Sequence, residues 1–173
     1  IPSPMVTGGE GRFSWKPSSS NSPIAISKIT PARVRSPVYQ LKSGPQKSFH
    51  PRNWLEVEVE FSARMRLPAG VVFQIAVQMS DILFTGEIVT GPLEKGEGLI
   101  TVAYISPNSL RKAFSDYDDV RIEIAVVSKE EKIGGAIYNE AKRSAPVKRQ
   151  FEQTIRSKAD TPFAPLFWDR YVE

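Results

Sequence analysis

Three glutamates, Glu56, Glu58 and Glu60, stand two residues apart in N-W-L-E-V-E-V-E-F-S-A-R-M, residues 53–65. On an extended strand they share one face, and neighbours fall near the roughly 5–9 Å that glycoside chemistry asks of two carboxylates. Any strand imposes that spacing, however, and no interleaved aromatics mark a cleft. The triplet therefore reads as a solvent face, or as partners for arginines on a neighbouring strand. Other candidate chemistry is thinner. His50 is the only histidine. A Ser-His-Asp triad would have to use it with Ser48 or Ser106, and no spacing supports either. A zinc site built on it would need carboxylates for all its other ligands. Asp116, Asp118 and Asp119 surround Tyr117, and acids in a turn can bind calcium, but the twelve-residue calcium loop is absent. G-P-L-E-K-G-E-G, residues 91–98, lacks the phosphate-loop spacing and leads into a strand rather than a helix. No catalytic residue, metal site or cofactor is assigned, and the chain reads as a non-enzyme.

The elements around these residues are strands. Leu55, Val57, Val59 and Phe61 oppose the glutamates with period 2, which predicts a strand with one buried side. Val71, Phe73, Ile75, Val77 and Met79 repeat the pattern, as do Val120, Ile122, Ile124 and Val126. Residues 82–89 predict another strand, with Gly86 at a bulge. Leu99–Ile105 is apolar on nearly both faces. Residues 106–114 suggest one helical turn, Lys129–Lys132 a hairpin turn, Ile133–Tyr138 a further strand, and residues 151–155 a last strand or short helix. Ile24 to Leu41 predicts an edge strand kinked at Pro31 and Pro37, since proline has no ladder donor. Short strands, Gly/Pro turns and no long helix argue for an all-β sandwich of seven to eight strands, ahead of an eight-stranded barrel. The expected division is a flexible, disordered Pro/Ser/Gly-rich tail over residues 1–23 and one domain over residues 24–173. Phe13 and Trp15 are the tail residues expected to dock on that domain.

The chain has 173 residues and no cysteine, so disulfides and thiolate sites are excluded. That absence suits a periplasm and leaves the cytoplasm open. No apolar run reaches the roughly 18 residues of a membrane helix. The start at Ile1 is expected to reflect processing or a fragment. The net charge is +4, and residues 1–53 hold eight of the 23 Lys and Arg but only one acid, Glu10. The balance turns acidic beyond residue 53, which disfavours a continuous nucleic-acid face.

W-L-E-V-E-V-E-F, with the Pro-rich lead and the F-W-D-R-Y ending, resembles small exported immunoglobulin-like proteins of the Verrucomicrobia, some encoded in pilus-associated loci. The resemblance implies an immunoglobulin-like sandwich without enzyme activity, a periplasmic or outer-surface location, and contact with itself or with pilus components. A carbohydrate-binding module on Trp15, Trp54 or Trp168, or a carboxylate-based enzyme on carbohydrate, is the alternative. The expected interaction surface is Trp54, Phe163, Phe167, Trp168 and Tyr171. Trp54 lies opposite Leu55, on the glutamate face, unless the tail or the C-terminal segment covers it. These aromatics beside an edge strand suggest a homo-oligomer.

Overall fold

The computed structural model describes residues 12–14, 22–37, 52–111, 119–141 and 146–164. Its strands are β1 (Arg12–Ser14), β2 (Ile24–Arg35), β3 (Asn53–Ala63), β4 (Val72–Met79), β5 (Ile82–Val89), β6 (Gly96–Ile105), β7 (Val120–Ser128), β8 (Glu131–Asn139), β9 (Arg149–Phe151) and β10 (Ile155–Ser157). One helical turn, α1 (Pro107–Leu110), follows β6. The strands form two sheets, ordered β1-β8-β7-β4-β5-β9 and β10-β6-β3-β2. The result is an all-β, two-sheet sandwich. Seven strands are long, and the three beyond them, β1, β9 and β10, have three residues each.

Alternation decides what lies between the sheets. Leu55, Val57, Val59 and Phe61 of β3 face Phe73, Ile75, Val77 and Met79 of β4 and their equivalents on β5 and β7, all buried in one core. Phe61 and Phe73 meet across the layers at 5.1 Å between ring centroids. Leu110 of α1 joins this core. Ser106, the posited nucleophile, caps α1: its Oγ accepts from the Ser109 N–H at 3.3 Å.

Four expectations change. β2 runs unbroken through Pro31, which pairs with Val57, and its irregularity falls between Ile26 and Lys28. A proline fits there because, among the described residues, β2 is the last strand of its sheet, so its missing donor can point away from β3. Gly86 is not at a bulge, for β4 and β5 pair in regular register through Ile75 and Gly86. Its role is close approach: a Cβ there would meet the Ile155 Cβ at 2.6 Å. The turn after β7 is a two-residue loop, Lys129-Glu130, with φ of 50° and 66°. Positive φ at both positions fits a type I′ turn, which favours Asn-Gly rather than Lys-Glu. Finally, Arg12–Ser14, inside the expected tail, pairs antiparallel with Asn139, Tyr138 and Ile137 of β8. The rest of residues 1–21 lies outside the described residues, as does the stretch 38–41 expected to continue β2.

The end of the described chain straps the two sheets together. β9 runs parallel to β5 in the six-stranded sheet, and β10 runs antiparallel to β6 in the four-stranded sheet. Three residues join β9 to β10, and the Thr154 N–H donates to the Thr85 carbonyl at 3.0 Å as the chain crosses. Ile155 enters the core through the space Gly86 leaves open.

Candidate functional site

The glutamate face lies on the outside of the four-stranded sheet. Register sets its rows: Lys28, Glu60 and Ile100; Thr30, Glu58 and Val102; Ala32, Glu56, Tyr104 and Arg156; Val34 and Trp54. In register, the β2 positions opposite the glutamates are Lys28, Thr30 and Ala32 rather than arginines. Glu56 accepts a hydrogen bond from the Tyr104 hydroxyl at 2.8 Å.

Half of this outer face is closed. Ile100, Val102 and Tyr104 point away from the core, yet each is at most 9% exposed. Trp54, Val102, Tyr104 and Phe163 form a second apolar cluster, with Val34 against it. Phe163 stacks on Tyr104 at 4.7 Å, with ring planes 6° apart. Trp54 meets Phe163 edge to face at 5.7 Å and Tyr104 at 6.4 Å. Aromatic pairs prefer these offset and T-shaped geometries.

Local chemistry brings Phe163 to that position. After β10 the chain turns through a 3-10 helix, Lys158–Asp160. The Ser157 hydroxyl bonds the Asp160 carboxylate at 3.1 Å, and the Thr161 hydroxyl donates to the Lys158 carbonyl at 2.8 Å. The Phe163 N–H then donates to Thr161 Oγ1 at 3.2 Å. Two of the five expected surface residues, Trp54 and Phe163, are thus brought together, and each covers the other. Phe167, Trp168 and Tyr171 lie outside the described residues.

The remaining candidates separate. His50, Ser48, Asp116 and Asp118 lie outside the described residues. Among those described, no group of three His, Cys, Asp or Glu side chains is placed to hold a metal ion, and no helix is long and apolar enough to cross a membrane. The glycine-rich connector is pinned at Leu93, which exchanges backbone hydrogen bonds with Leu67 at 2.8 and 2.9 Å.

Sequence reasoning missed a polar group on the other sheet. Arg121 sits on the outer face of β7, between Gln78 of β4 and Asn139 of β8. It is 7% exposed, and its Nε and Nη2 have no hydrogen-bond partner. Burial lowers the pKa of this guanidinium, against the opposing pull of Glu123 two residues on. Burial raises the pKa of the Glu123 carboxyl, against Arg121 and Lys132. Alternation placed Arg121 on an outward face, and nothing in its spacing marks that face as covered.

A family model, described only by likeness to one member, matches residues 15–173. The chain belongs to that family. No curated protein matches it. The family chain is similar in fold to a crystal structure of a protein from Akkermansia muciniphila. The TM-score is 0.70 at 15% identity, over 91% of this chain and 97% of the other. At that identity the likeness speaks for the fold, an all-β two-sheet sandwich. The expected resemblance to Verrucomicrobial proteins is met at this level.

Proposed function

We propose that this protein is a non-enzymatic structural or protein-interaction module of the bacterial cell envelope. In this reading its sandwich is of the immunoglobulin-like kind, works in the periplasm or on the outer surface, and associates with copies of itself or with other envelope proteins, pilus components among them. The observation that carries the reading is the open end of the four-stranded sheet. β2 is twelve residues long and, among the described residues, pairs on one side only, with β3. Such a row of backbone donors and acceptors is a template for a further strand. The choice of compartment rests on the resemblance to exported proteins and on the absence of cysteine.

Light scattering on the purified chain tests self-association. A mass above the 19.3 kDa of one chain, reduced to 19.3 kDa when Arg35, in phase with Pro31 on the outer edge of β2, is replaced by proline, supports it. A mass of 19.3 kDa in the unaltered chain removes the homo-oligomer. Cross-linking in intact cells, followed by mass spectrometry, tests the envelope partners. Saturable binding on a glycan array that disappears in Trp54→Ala would overturn the ranking in favour of a carbohydrate-binding module.

A further inference from the structure

Arg121 is the one side chain among the described residues that combines burial, charge and unmet hydrogen bonding. The neighbours that flank it are engaged. Asn139 Oδ1 accepts from the Ala141 N–H at 3.0 Å. Gln78 Nε2 donates to the Ser80 carbonyl at 3.1 Å. Arg121 and Glu123 form no ion pair within 4.0 Å, so Glu123 acts on Arg121 through space.

The two orphaned nitrogens are informative as a pair. Nε and Nη2 lie along the same edge of the planar guanidinium, and one N–H bond of each runs nearly parallel to the other. That edge is a fork matched to the two oxygens of one carboxylate.

We propose that Arg121 is the anchor of an anion site on the outer face of the six-stranded sheet, and that it binds a carboxylate through Nε and Nη2. The acid is either a small free carboxylate or the side chain of an Asp or Glu presented to this face. Both bring the same two oxygens to the fork.

The test uses the full chain with 15N-labelled arginine. Sodium acetate is titrated against sodium chloride at matched ionic strength, and then N-acetyl-glutamate amide, whose only carboxylate is a side chain. The Arg121 Nε–H resonance, assigned through its own side-chain correlations, should shift saturably with a carboxylate and stay still with chloride. Tighter binding of acetate identifies a free acid as the ligand, and tighter binding of the glutamate amide identifies a presented side chain. Arg121→Lys keeps the charge and loses the fork, so acetate should raise the melting temperature of the unaltered chain and not that of this variant. An Nε–H resonance unmoved by either acid overturns the proposal. So does one that shows coupling to a carboxylate before any addition, because the fork is then already filled. If Arg121→Lys does not fold, the titration of the unaltered chain decides alone. Its failure leaves the envelope reading untouched, since that rests on β2.

Discussion

Replacing Phe163 by alanine removes the lid of the outer aromatic cluster. The ring is 5% exposed, so nearly its full burial is lost, about 1.5–3 kcal/mol for a side chain of this size. Its stack on Tyr104 and its edge contact with Trp54 add about 0.5–1.5 kcal/mol each. Together they give a loss of about 2.5–6 kcal/mol, which brackets the roughly 3–5 kcal/mol found for Phe→Ala in well-packed sites. With a urea slope of about 2 kcal/mol/M, a loss of about 3–5 kcal/mol should lower the unfolding midpoint by about 1.5–2.5 M. The assay is urea unfolding followed by far-ultraviolet circular dichroism. Tryptophan fluorescence on the folded variant should also move to the red as Trp54 gains water. A midpoint shift below about 0.5 M at unchanged slope, or about 1 kcal/mol, would refute the reasoning. Phe163 would then rest on the sheet without being held there.

Gly86→Ala drives a methyl into Ile155 and should cost about 1–3 kcal/mol, read as a lower urea midpoint with faster amide exchange in β10. Lys129→Asn with Glu130→Gly supplies residues suited to positive φ. A gain near 1 kcal/mol should raise the melting temperature by about 2–4 °C in calorimetry. Glu123 holds its proton to higher pH when folded than when unfolded. The folded state therefore binds more protons between the ordinary carboxylate pKa and the raised one, and stability falls as pH rises through that window. Glu123→Gln should accordingly gain on the unaltered chain from acidic to neutral pH. A constant difference in urea midpoint across that range would show that burial of Glu123 is not felt.

Much of this architecture is legible because alternation is a local property. β3, β4 and β7 follow from their own residues, and the apolar character of both faces of β6 already says that something lies over its outer side. What lies there is not local. Phe163 reaches Tyr104 across 59 positions of sequence through a turn built from Ser157, Asp160 and Thr161. Trp54 was readable as outward-facing, and it is, but outward is not exposed when a second layer covers the sheet. Gly86 carries a signal for a bend or a close approach, and only Ile155 decides between them. β9 and β10 are too short to show a period, and the chain that templates them lies elsewhere. Arg121 was hidden for the opposite reason, because its pattern is that of an ordinary solvent-facing strand residue.

The strap that crosses from β5 to β6 also sets an order of birth. Its two templates lie more than 40 residues upstream, so its own residues are made after both of them. The hairpins β4–β5 and β7–β8 can form while the chain is still being made, since domains assemble from the N-terminus as it emerges. The sandwich cannot shut on that side until the strap itself has been made. Until then Phe84 lacks its stacking partner Phe151 and the gap beside Gly86 lacks Ile155, so that seam stays open for as long as the strap is missing.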